Sequence, residues 1–66
     1  MKEIIVIDVR DAEGSCIHVA DTYEEAVSVI KMFGWENKKI YLSTFEKCGD
    51  HYHFRRVRKY VKENFE

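Results

Sequence analysis

Proline is absent from this chain, and glycine is scarce. The 66 residues include no proline and three glycines, so Gly14, Gly34 and Gly49 are the main markers of turns. A chain of this length has room for one domain, and we expect residues 1–66 to fold as a single compact unit. It buries only about 60% of its unfolded surface, so its stability is expected to be modest.

Cysteine is also rare, and long apolar runs are missing. Cys16 and Cys48 can form at most one disulfide, which is sparse for a small secreted scaffold. The longest wholly apolar run, Ile4 to Ile7, is far shorter than a membrane-spanning helix. Lys2 and Glu3 lead straight into that run, which is not the pattern of a signal peptide. We therefore expect reduced thiols, no membrane partner and a cytoplasmic location.

Neither sign of charge dominates, since 11 Lys and Arg face 12 Asp and Glu. This balance excludes a uniformly basic nucleic-acid coat and an acidic tail. The hydrophobic share of 45% is typical of a globular domain.

Apolar spacing predicts an α+β fold in the order β-β-α-β-β-α, with the helices on one face of an antiparallel sheet. Thr22-Tyr23-Glu24-Glu25 has the form of a capping box, in which the Glu25 side chain reaches back to the N–H of Thr22. The last helix is open to an alternative, because Val57, Lys59 and Val61 also alternate as in a longer strand. The predicted strands are 2–10, 16–20, 39–47 and 51–55, and the predicted helices are 23–33 and about 56–64.

Alternation along the strands assigns side chains to two faces of the sheet. We expect the helices to cover the face that carries Ile17, Val19, Ile40, Leu42, Tyr52 and Phe54. The uncovered face would then carry Cys16, His18, Tyr41, Phe45, His51 and His53.

The leading functional prediction is a non-enzymatic interaction module that binds a protein partner or itself through the uncovered face. Tyr41 and Phe45 would be exposed there if the chain were a monomer. Trp35 and His53 complete the predicted partner-binding set, although Trp35 could equally cap the core.

Nucleic-acid binding is the first alternative, because the segment 55–62 is basic. On a helix, Arg55, Arg58, Lys59 and Lys62 would share one side and could contact phosphates, with Arg56 nearby. Tyr41, Phe45 and His53 would offer stacking surfaces. The competing interpretation is the solvated face of an amphipathic helix.

A zinc site is the second alternative. Every cysteine and histidine falls in one of two clusters, Cys16-x-His18 and Cys48-x2-His51-x-His53. If the second and fourth strands were neighbours, Cys16, His18, His51 and His53 could meet and supply a tetrahedral site, and Cys48 is a further candidate ligand. The spacing matches no standard zinc finger, so we expect no cofactor and an exposed polar set. No glycine-rich phosphate loop, G-x-S-x-G or H-E-x-x-H motif is present, so we also expect no enzymatic activity.

Overall fold

The computed structural model describes residues 2–61, which form one four-stranded antiparallel sheet and one helix. The elements are β1 (Glu3–Asp11), β2 (Gly14–Ala20), α1 (Tyr23–Met32), β3 (Lys39–Cys48) and β4 (His51–Lys59). The strands lie in the order β2-β1-β3-β4 in the sheet. The Cα atoms extend 35 × 26 × 18 Å, and the shortest dimension corresponds to one sheet and one helix layer.

Both hairpins form where glycine marks a turn. Gly14 (φ 134°) follows a two-residue loop, and the Glu13 N–H donates to Asp11 Oδ1 over 2.9 Å. Gly49 has φ 63° in the other hairpin, in the left-handed region that glycine adopts without strain. The two predicted turns are therefore confirmed.

The predicted first helix is present and begins at the predicted cap. The Thr22 hydroxyl accepts a hydrogen bond from the Glu25 N–H over 3.1 Å. The Glu25 carboxylate reaches back one residue further than predicted, because it accepts from the N–H of Asp21 at 3.2 Å. Ala26, Val29 and Ile30 face the sheet and are buried, so helical spacing identified the correct apolar side.

The core lies between α1 and the inner strands β1 and β3. Ile7 is fully buried and pairs with Leu42 on the neighbouring strand. A β1 strand covered by neighbours on both edges fits its Ile- and Val-rich sequence. The buried hydrophobic residues are Ile5, Ile7, Val9, Ala20, Ala26, Val29, Ile30, Ile40, Leu42 and Tyr60.

Among the described residues the prediction of a closing helix is wrong, and the alternative of a longer strand is confirmed. Residues 56–59 belong to β4, and the Tyr60 N–H still donates to the Ile40 carbonyl over 2.8 Å. Pairing passes from Thr44–Arg56 to Phe45–Phe54, so Arg55 is an extra residue at a bulge. Because of the bulge, residues 54 and 57 face the same side although three positions separate them. The apolar residues 54, 57 and 61 therefore follow a spacing that is also typical of a helix. Residues 62–64 of the predicted helix lie outside the described residues.

The predicted faces of β2 and of the start of β4 are also wrong. Ile5 pairs with Ala20, and Ile7 pairs with His18, so Cys16 and His18 share the helix-covered side. Ile17, Val19, Tyr52 and Phe54 lie on the opposite side. The assignments of Ile40 and Leu42 to the covered face, and of Tyr41 and Phe45 to the uncovered face, are correct. Small Ala20, only 2% exposed, occupies the covered position where β2 leads into α1.

Candidate functional site

The side of the sheet opposite α1, which we call the outer face, is largely apolar. Register places its side chains in rows across the sheet, such as Val19, Val6, Ser43 and Val57. Five of its large hydrophobic residues are at least half exposed, and they lie on the two edge strands. They are Ile17 (67%), Val19 (51%), Tyr52 (51%), Phe54 (57%) and Val57 (52%).

The two halves of the outer face differ in chemistry. The β1–β2 half is aliphatic and includes Ile4 and Val6 beside Ile17 and Val19. The β3–β4 half is aromatic. There the rings of Phe45 and Phe54 meet edge to face, with centroids 5.7 Å apart. Edge-to-face pairs of this kind add about 0.5–1.5 kcal/mol beyond simple burial.

Cations surround the apolar part of the outer face. Arg10, Lys39, Lys47 and Lys59 lie on this face by register. The carboxylate among them is Asp8, whose Oδ2 lies 2.9 Å from Arg10 Nη2. The Arg10 guanidinium also lies 4.8 Å from the centroid of the Tyr41 ring. The rim of the face is therefore positive although the whole chain is nearly neutral.

A second group of polar and titratable side chains lies at the β3–β4 hairpin, on the side of the sheet that carries α1. We call Glu46, Cys48, His51 and His53 the hairpin cluster. Cys48 pairs directly with His51, and Glu46 pairs with His53. The Nε2 atoms of His51 and His53 are 3.1 Å apart, and His51 Nδ1 lies 3.2 Å from Asp50 Oδ1.

The five-residue zinc site is wrong, because its two halves are not neighbours. β2 and β4 occupy opposite edges of the sheet, with β1 and β3 between them. Cys16 and His18 are therefore separated from Cys48, His51 and His53. Both cysteines are free thiols, and Cys16 is exposed. Across residues 2–61, no three His, Cys, Asp or Glu side chains are arranged as a ready-made metal site.

The predicted basic stripe is divided between two faces. Because the segment is a strand, Arg56 and Arg58 lie on the helix side, whereas Lys59 lies on the outer face. Arg55 is the bulge residue, and Lys62 lies outside the described residues. The Arg58 guanidinium lies 5.6 Å from the centroid of the ring of Tyr23, the first residue of α1.

Of the four residues predicted to bind a partner, Tyr41 and Phe45 lie on the outer face. Trp35 is half-buried against the core, and its ring stacks on Phe33 with centroids 4.8 Å apart. His53 belongs to the hairpin cluster. His18, at the other edge of the sheet, lies 6.2 Å from the Phe33 ring.

An ion pair near the first turn holds the Asp11 carboxylate. Lys38 Nζ donates to Asp11 Oδ2 over 2.9 Å. This hydrogen bond, together with that from the Glu13 N–H, lowers the pKa of Asp11 below its ordinary value of 3.8. The pair joins the β1–β2 turn to the loop before β3.

Comparison with known proteins assigns no relative: no family model, curated protein or solved structure matches the chain significantly. No helix among the described residues has the length and apolar character needed to cross a membrane.

Sequence reasoning missed several residues of both surfaces. Strand alternation alone places Ile17, Val19, Tyr52 and Phe54 on the wrong face, although small Ala20 at the start of the helix connection signals which residues of β2 lie under α1. It gives no prominence to Glu46 or Asp50. Once the hairpin is known, their closeness in sequence indicates both residues, because Glu46 lies two residues before Cys48 and Asp50 lies one residue before His51.

Proposed function

We propose that this chain is a non-enzymatic interaction module that associates with a second copy of itself through the outer face. The observation that carries this proposal is the exposure of five large apolar side chains on one sheet face. A sheet that was stable alone would be expected to alternate polar residues outward. Here most outward positions of the two edge strands are apolar, and Ser15 and Lys59 are the polar ones by register.

The size of the outer face fits a weak dimer. Four strands spaced about 4.8 Å apart, each contributing roughly seven residues, give a flat area on the order of 400 Å² per copy. Two copies would bury about 1,000 Å² in total once the corrugation of side chains is included, at the low end for specific complexes. We therefore expect association at micromolar rather than nanomolar concentrations.

A second copy is the occupant that fits the two halves of the face. A two-fold axis parallel to the strands places the β3–β4 half of one copy over the β1–β2 half of the other. The aromatic ring of Phe54 would then pack near aliphatic Ile17 or Val19 of the second copy. Two sheets packed in this way make a sandwich with a core about 10 Å thick. Such a second core would add to the modest stability expected of so small a chain.

Two substitutions on opposite edge strands test self-association. The double variant Ile17→Thr and Phe54→Thr removes apolar surface from both halves while keeping residues that favour strands. Sedimentation velocity over a concentration series should show the wild type dimerising and the double variant remaining monomeric. Met32→Gln is the matched control, because Met32 is 71% exposed on α1, and this variant should dimerise normally. A wild type that stays monomeric at high micromolar concentration contradicts the proposal.

Binding of single-stranded nucleic acid is the second candidate, favoured by a specific observation. The outer face combines four aromatic rings with a positive rim, and bases stack on aromatic side chains at about 1–3 kcal/mol per base. The rings are those of Tyr41, Phe45, Tyr52 and Phe54. If the chain binds single-stranded nucleic acid, Phe54→Thr and Lys59→Gln should each weaken oligonucleotide binding. Fluorescence anisotropy at low salt measures this binding. If the chain does not bind single-stranded oligonucleotides at low salt, this candidate function is excluded.

A further inference from the structure

We propose that the hairpin cluster is a zinc site in which His51 and His53 chelate the ion and the Cys48 thiolate supplies a third ligand. This site lies on the helix side of the sheet, so it is independent of the self-association proposed for the outer face. It uses one of the two Cys/His clusters of the sequence and needs nothing from the other.

The two imidazoles already converge on one point. Their Nε2 atoms are 3.1 Å apart. Two nitrogens bound to one tetrahedral zinc at about 2.0–2.1 Å are separated by roughly 3.3 Å. Residues two apart on a strand point to the same side, which is why a His-x-His segment in β4 can present both nitrogens together. The separation changes by only a few tenths of an ångström when the ion takes the place of the hydrogen between the rings and the proton on His53 Nε2 moves to Nδ1 of the same ring through solvent.

Asp50 orients His51 as a metal ligand requires. With the proton on Nδ1, the His51 ring donates to Asp50 Oδ1 across the observed 3.2 Å. Its Nε2 lone pair then points towards His53. A carboxylate that accepts from the second ring nitrogen is the common outer partner of a metal-binding histidine, and it fixes both tautomer and ring direction. This contact is a second observation, separate from the distance between the two rings.

The neighbouring strand supplies further ligands at the right register. Cys48 lies directly opposite His51, and Glu46 lies directly opposite His53. Opposed residues of an antiparallel pair have their Cβ atoms about 4.5–5.5 Å apart on one face. At present the Cys48 thiol donates towards Glu46 Oε1 over 3.9 Å. On binding, Cys48 turns towards the imidazoles and releases its proton to solvent, and water or Glu46 completes four ligands.

The donor set selects the kind of metal. Two imidazoles and one thiolate suit zinc, whereas calcium and magnesium prefer oxygen ligands. The site would fasten the tip of an edge strand whose residues are all exposed. Because the ion binds the folded hairpin and not the unfolded chain, zinc should raise the thermal midpoint.

Titration calorimetry with Zn²⁺ alone, on the reduced full-length chain, tests the site. We expect one equivalent per chain, with the ring resonances of His51 and His53 shifted in NMR spectra. His51→Ala combined with His53→Ala should weaken binding at least tenfold. His18→Ala is the matched control, because His18 lies at the other edge of the sheet, and it should bind as the wild type does. Asp50→Asn, which weakens the orienting contact, should lower affinity by about tenfold.

The thiolate has its own readout. Cobalt bound in place of zinc should show a thiolate charge-transfer band that disappears in Cys48→Ser and persists in Cys16→Ser. The proposal is overturned if the double histidine variant binds zinc as tightly as the wild type, or if His18→Ala removes binding. A band that survives in Cys48→Ser overturns the assignment of the third ligand. Zinc binding that fails in a chain that still dimerises refutes this site alone, because the two surfaces are separate.

Discussion

Tyr23 and Thr44 join the first turn of the helix to an inner strand. The Tyr23 hydroxyl lies 2.8 Å from Thr44 Oγ1, and Thr44 is fully buried. A buried hydroxyl without a partner is costly, so this hydrogen bond stabilises the packing of the first turn of α1 on β3. Neither residue stands out in the sequence as half of a pair.

Tyr23→Phe should lower the free energy of unfolding by about 1–3 kcal/mol, because it leaves Thr44 Oγ1 without this partner. Thr44→Val should cost less, since it removes the buried polar atom altogether. Urea denaturation of both single variants and of the double variant gives the coupling energy. Costs that simply add in the double variant would show that the two hydroxyls do not interact.

Ile7 and Ile17 test which side of the sheet is the core. Ile7→Val should cost about 0.5–1.5 kcal/mol of stability, because Ile7 is fully buried. Ile17→Val should cost almost nothing at protein concentrations where the chain is monomeric, since Ile17 is 67% exposed. Denaturant midpoints at low concentration measure both. A larger cost at Ile17 than at Ile7 would mean that the helix covers the other face.

The Asp11–Lys38 pair predicts a contribution to stability that depends on pH. The folded state lowers the pKa of Asp11 below 3.8, so the contribution is fully present above that pH. It is lost as pH falls through the lowered value. An NMR titration of the Asp11 carboxyl should give a pKa below 3.8, and Lys38→Met should bring it back up. Lys39→Met, one residue along, should leave that pKa low.

Salt separates the two candidate functions of the outer face. Self-association brings together two rims that each carry more cations than carboxylates, so screening should strengthen the dimer as NaCl rises from about 0.05 to 0.5 M. Binding to a nucleic acid should instead weaken steeply, because bound phosphates release counterions. Sedimentation and anisotropy in the same two buffers measure the two responses. A dimer that dissociates at high salt would contradict the packing proposed for the outer face.

Local signals were sufficient for the early part of the fold. The capping box at Thr22 and the glycine turns at Gly14 and Gly49 act through contacts within a few residues, so they can be identified without knowing the rest of the chain. The same holds for the buried side of α1, since helical spacing alone selects Ala26 and Ile30.

The end of the fold could not be identified in this way. A bulge at Arg55 places Phe54 and Val57 on one face although three positions separate them, and that spacing is also typical of a helix. Pairing with β3 and the hydrogen bond from Tyr60 to Ile40 decide for a strand. Both depend on residues more than ten positions away.

The sequence alone determined the elements up to β3, the two hairpins and the absence of a long apolar run, because each depends on neighbours along the chain. Only the tertiary structure decided the faces and the grouping of the site residues. The order β2-β1-β3-β4 separates His18 from His51, and the pairing of β3 with β4 places Cys48 beside His51. Register also turns Ile17 outward with Phe54. Strand alternation shows which residues of one strand share a side, but pairing with the other strands decides which side the helix covers.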